Sequence, residues 1–219
     1  MSDDPSICPY CGYDLKVFPQ RRRKCPSCKE VIFVKSTPQN RRKQLVTERE
    51  AHDIEAQWAV YNERQESLRL LQPFGFTERD IENEIGKGES RKSDSQAVFS
   101  LLERVTYNSG DLHAQKMAFY EMALIAEKQG KPFRGFLAEA ARRELLRYKQ
   151  HNVKRVEILT AGPGNACAQC EAQAHKIFDI DVAVRLTPIP CPACTGTLVG
   201  SIPGFCRCSY VADLESSGV

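Results

Sequence analysis

At 219 residues, with 42% hydrophobic and 27% charged side chains, the chain has the composition of an ordinary globular protein, and no uninterrupted apolar run approaches a membrane span. The acidic start Met1-Ser2-Asp3-Asp4-Pro5-Ser6 lacks the basic and apolar regions of a secretory signal, so a cytoplasmic protein is expected, and there the ten cysteines point to metal ligands before disulfides. The net charge of +3 is uneven: residues 1–43 hold 10 of the 31 Lys/Arg but only 4 of the 28 Asp/Glu, so a basic segment precedes a mildly acidic body.

Residues 1–44 read as a zinc ribbon. Cys8-Pro9-Tyr10-Cys11 and Cys25-Pro26-Ser27-Cys28 are two turns that each aim a pair of sulfurs at one centre, and together they complete the tetrahedral thiolate shell that Zn²⁺ prefers. Gly12 follows the second cysteine of the first turn, where a residue without Cβ tolerates the required backbone. Val31-Ile32-Phe33-Val34 is a β-type run suited to a small hairpin. So short a segment buries too little apolar surface to fold alone, and the metal is expected to supply the rest. Between the turns lies Arg21-Arg22-Arg23-Lys24, and Arg41-Arg42-Lys43 follows. These seven residues are candidate contacts for the phosphates of DNA or RNA, bound without base reading.

From Leu45 to Gln150 the pattern turns helical. Thr47 and Glu50 form a capping box ahead of Ala51, Ile54, Trp58, Tyr61 and Leu68, which keep helical spacing. Gln72-Pro73-Phe74-Gly75 ends that run, and Thr77 caps a short helix carrying Ile81 and Ile85. Residues 86–95 form a polar connection, after which Asp94 is expected to cap a helix with Ala97, Val98, Leu101, Leu102 and Val105. Gly110-Asp111 opens a fourth helix through Met117, Tyr120 and Ile125. Gly130-Lys131-Pro132 closes it, and a fifth with Phe136, Leu137, Ala140, Leu145 and Leu146 completes an antiparallel hairpin. Ala118-Phe119-Tyr120-Glu121-Met122-Ala123 is similar to part of one tetratricopeptide unit, but no second copy occurs at that period. Trp58, Tyr120 and the methionines are read as core.

Residues 151–219 form the third part. Val153-Lys154-Arg155-Val156-Glu157-Ile158-Leu159 alternates like a strand, residues 161–165 turn it into Cys167-Ala168-Gln169-Cys170, and Lys176-Ile177-Phe178 reads as a second strand. Residues 181–186 suggest a helical turn, and a Pro/Gly-rich coil bearing Cys191, Cys194, Cys206 and Cys208 ends the chain. Spacing alone favours Cys167, Cys170, Cys191 and Cys194 as one zinc shell, since two C-x-x-C turns match.

The order Ile158-Leu159-Thr160-Ala161-Gly162, Cys167-x-x-Cys170, Lys176-Ile177-Phe178 and a proline-flanked Cys206-Arg207-Cys208 resembles the C-terminal region of the phage Mu protein F-like family, minor head or head-morphogenesis proteins of tailed phages. The resemblance covers about residues 153–211. It implies a phage or prophage head role, a head component as protein partner and a place in the virion, and as ligands Cys167 and Cys170 with Cys206 or Cys208. This chain has Pro203-Gly204-Phe205 where the family usually has His-Pro, and His175 where it tends to have Gly. Cys191/Cys194 is an additional pair, either of which could replace the family histidine. The two ligand sets combine in a mixed one, Cys167 and Cys170 with one cysteine from each later pair, which would order the tail.

The expected fold is mainly α with small β: an N-terminal zinc ribbon, a helical middle and a C-terminal cysteine-rich α+β zinc module, holding two zinc ions per chain. The expected function is non-enzymatic binding of nucleic acid or a protein partner, with no membrane. The alternative is a metal-dependent nuclease or other hydrolase using the C-terminal cluster with Asp179 and Asp181. A redox reading of Cys167/Cys170 is set aside because helices precede the motif and coil follows it. His175 is read as a surface or hydrogen-bonding residue, and His52, His113 and His151 receive no role.

Overall fold

The computed structural model describes residues 6–88, 90–162, 165–196 and 204–213. Expectations for residues 1–5, for Pro163 and Gly164 of the turn and for Pro203 lie outside them. The protein divides into two compact units, Met1–Arg69 and Leu70–Val219.

In the first unit β1 (Arg23–Lys24), β2 (Val31–Lys35) and β3 (Gln44–Val46) form an antiparallel sheet in the order β1-β2-β3. Strand alternation sends neighbouring β2 side chains to opposite faces. Ile32 is buried with Cys8, Leu15 and Cys25, whereas Phe33, like Trp58, packs on the cluster of Val46, Ala51 and Ile54. Leu45 and Val46 are therefore strand residues and do not begin the helical stretch. The open edge of β2 takes them as partners (Val34↔Leu45, Phe33↔Val46), and the helix begins three residues after Leu45, at Glu48. Thr47 Oγ1 accepts the Glu50 N–H at 3.3 Å and Glu50 accepts the Thr47 N–H at 2.8 Å, so the capping box forms and α1 runs Glu48–Leu71.

The second unit is mainly helical. After a 3-10 turn at Gln72–Phe74 come α2 (Glu78–Ile85), α3 (Asp94–Asn108), α4 (Leu112–Lys128) and α5 (Arg134–Gln150), with α4 packed between α3 and α5. Thr77 caps α2 through a capping box with Asp80, and Asp111 caps α4 by accepting the His113 N–H. The cap of α3 is Ser93, not Asp94: Ser93 and Gln96 complete a reciprocal box, and Asp94 becomes the first helical residue, favourable beside the positive helix end.

Beyond α5, β4 (Arg155–Leu159) is the centre of a second antiparallel sheet, ordered β5-β4-β6, with β5 at Ile177–Asp179 and β6 at Ser209–Ala212. One-turn α6 (Ala168–Glu171) carries the C-x-x-C, and α7 (Ile180–Leu186) packs against α5. The tail was expected to end as coil. Its described part instead enters β6, where Tyr210 is buried: its hydroxyl accepts the Ile189 N–H at 2.9 Å and donates to the Ile189 carbonyl at 3.1 Å, while Tyr148 of α5 donates to the Tyr210 carbonyl. Among the described residues no helix is long and apolar enough to cross a membrane.

Candidate metal centres

The first centre is built by two turns of like construction. The Gly12 N–H reaches the Cys8 carbonyl at 2.9 Å and the Lys29 N–H the Cys25 carbonyl at 3.0 Å, and both donors have left-handed backbone, φ 74° and 67°. Glycine suits that conformation; the lysine adopts it at a cost. The turns bring Cys8, Cys11, Cys25 and Cys28 together with every sulfur within 4.8 Å of the others, Cys8 to Cys28 at 3.9 Å and Cys11 to Cys25 at 3.8 Å. A tetrahedral ion with metal–sulfur bonds of about 2.3 Å spaces its sulfurs about 3.8 Å apart, so the four thiols fit such an ion. Burial pushes the Cys25 thiol up, but the Cys28 and Ser27 N–H groups and neighbouring sulfurs outweigh it and draw it down to about 7. On Cys28 the Glu30 N–H pulls downward, yet burial and the adjoining sulfurs raise that thiol to about 12. Thiolates this close cannot all ionise unless a cation joins them.

In the second unit Cys167, Cys170 and Cys194 form one mutually close set and Cys170, Cys206 and Cys208 another. Cys194 lies 3.8 Å from both Cys167 and Cys170, and Cys206 lies 3.7 Å from Cys170. Cys191 falls outside both sets, its sulfur directed at the Gln169 and Pro188 carbonyls at 3.7 and 3.6 Å. Burial raises the Cys167 thiol, but the Cys170 and Thr195 N–H groups and nearby sulfurs overcome it and bring it to about 6; burial holds Cys206 up at about 12.

Support for this cluster comes from distant residues that sequence reading passed over. Arg134, at the start of α5, donates to the Pro192 carbonyl at 2.8 Å and the Cys194 carbonyl at 3.0 Å. Phe205, fully buried, stacks on Phe133 at 5.6 Å and meets Tyr120 edge-on at 5.7 Å, which seats the Cys206-Arg207-Cys208 segment on the α4–α5 hairpin. Gly204 has φ 114°, and a Cβ there would collide with the Arg134 guanidinium. Phe205 was legible only as one of several apolar residues in a Pro/Gly-rich coil, and Arg134 carried no signal.

Among the described residues no His, Asp or Glu joins either cluster. His175 is exposed and its Nδ1 lies 2.6 Å from Glu157 Oε1. Asp179 caps α7 by accepting the Asp181 N–H, and Asp181 pairs with Lys149 at 2.5 Å.

Arg21, Arg22, Arg23, Lys24, Arg41, Arg42 and Lys43 are all exposed, and among the described residues none has an acidic side chain within ion-pair distance. Lys43 Nζ lies 3.3 Å from Gln20 Oε1, which brings the two basic runs side by side. Arg41 is committed elsewhere: its guanidinium lies over the Trp58 ring at 4.4 Å and the Tyr61 ring at 5.5 Å. Trp58 is correspondingly half-buried, its indole N–H bonded to the Ser36 carbonyl at 2.6 Å. No family model, curated protein or solved structure matches the chain.

Proposed function

We propose that this is a zinc-stapled binding protein without catalytic activity, whose N-terminal zinc ribbon holds nucleic acid through its phosphates. The observation that carries this reading is the pairing of an all-sulfur cluster with an exposed basic surface that has no acidic partner among the described residues. Four thiolates of this spacing are the donor set of structural zinc, and the absence of His, Asp and Glu from the clusters among the described residues disfavours a hydrolytic ion. Arg21, Arg22, Arg23, Lys24, Arg42 and Lys43 would neutralise phosphates of DNA or RNA alike, with affinity that falls as salt rises.

The resemblance to Mu protein F-like head proteins supplies the setting: a phage or prophage head component, with the C-terminal module as the docking part. Support comes from the way the resembling pieces join, since β4, the α6 turn, β5 and the Cys206-Arg207-Cys208 segment entering β6 make one packed module.

The test is retention of labelled DNA and RNA by the zinc-loaded protein at rising salt, with and without Mg²⁺ or Mn²⁺. Retention that falls with salt and vanishes in Arg21→Glu/Arg22→Glu/Arg23→Glu supports the reading. Metal-dependent cleavage would replace it with the nuclease alternative, and undiminished retention by the triple variant would remove the ribbon assignment.

A further inference from the structure

The two C-terminal cysteine sets share one sulfur. In the first unit all four sulfurs lie within 4.8 Å of one another, whereas no four of the six C-terminal sulfurs do. Cys170, 1% exposed, belongs to both sets, with Cys194 at 3.8 Å and Cys206 at 3.7 Å. We propose that the C-terminal module binds two divalent ions as a dinuclear thiolate cluster. One ion is held by Cys167, Cys170 and Cys194, the other by Cys170, Cys206 and Cys208, and Cys170 Sγ bridges them. This deepens the metal-binding reading and rests on it.

Chain geometry supplies both ends of the cluster. Cys206 and Cys208 are two residues apart just ahead of β6 and their sulfurs lie within 4.8 Å of each other and of Cys170 Sγ, while Arg207 between them is exposed and faces Asn165 at 3.3 Å. On the other side the α6 turn presents Cys167 and Cys170, with the Cys170 N–H directed at Cys167 Sγ, and Arg134 fixes the loop that presents Cys194.

Charge points the same way. One divalent ion among five thiolates would leave three negative charges in a largely buried site, and the cations beside it are occupied by carbonyls (Arg134) or turned to the surface (Arg207). A second ion leaves a single negative charge. A fourth position on each ion remains for water or for Cys191.

The experiment is native mass spectrometry of the reduced, zinc-loaded full chain. Three zinc ions per chain are expected, two in Cys208→Ser and one in Cys170→Ser, because loss of the bridge releases both C-terminal ions. Two ions in the wild type, still two in Cys208→Ser, would overturn the second C-terminal ion and leave a mononuclear site. A single ion in the wild type would overturn the metal-binding reading of the module itself. ¹¹³Cd NMR of the cadmium-loaded wild type avoids any folding defect of the variants: three resonances, two mutually coupled through a shared sulfur, are expected, and two uncoupled resonances would reject the bridge.

Discussion

Two glycines separate backbone demand from packing demand. Gly12 has φ 74° with open space where a Cβ would sit, so Gly12→Ala should cost only the left-handed conformation, about 1–2 kcal/mol, or roughly a tenfold loss of zinc affinity at the first centre. At Gly204 the strained backbone adds to a collision with Arg134, so Gly204→Ala should weaken C-terminal binding further by freeing the Pro192 and Cys194 carbonyls. Chelator competition measures both, and equal losses would contradict the contrast. Glu84 poses a separate electrostatic case. Its buried carboxylate meets Lys87 at 2.8 Å and Lys92 and Arg104 at 2.6 Å, and the Lys87 and Lys92 contacts hold its pKa down at about 2, against an ordinary value of about 4.3. A depressed folded pKa contributes stability above about pH 4.3 that is lost as pH falls toward 2. Glu84→Gln should therefore lower stability at pH 7 by about 1–3 kcal/mol, the gap to wild type closing across that window in thermal unfolding. A gap that persists at pH 2 would mean lost packing in place of lost charge.

At the level of elements, Phe205 joins the cysteine-bearing tail to the helices. Removing its ring from between Phe133 and Tyr120 should cost about 3–5 kcal/mol, so Phe205→Ala should expose residues 204–213 to protease and weaken C-terminal zinc while the first centre keeps its ion. Truncation after residue 200 should go further and deprive β4 of a strand partner. Retention of the full wild-type complement of C-terminal zinc by the truncated chain would show that Cys206 and Cys208 hold none. The helices were legible because their signals are local: Thr47, Thr77 and Asp111 announce their own caps, and apolar spacing shows each buried face. Strands β3 and β6 were not, since three or four residues such as Gln44-Leu45-Val46 become strands only when a distant edge accepts them. The candidate site divides likewise. Sequence spacing shows the first tetrad, but sharing of Cys170 between two sets depends on how Phe205, Tyr210 and Arg134 seat the tail.

For the whole molecule, the charge distribution and the sulfur clusters have separate consequences. Charge reversal at Arg21, Arg22 and Arg23 should abolish nucleic-acid binding at low salt and leave helical content unchanged, read by anisotropy titrations and circular dichroism. The central claim is that the cysteines are structural zinc ligands, and X-ray absorption at the zinc edge of freshly purified, reduced protein tests it most directly. A first shell dominated by sulfur at about 2.3 Å, without imidazole scattering, is the expected spectrum. Protein free of zinc with its cysteines in disulfides, or a first shell dominated by nitrogen and oxygen, would contradict the account.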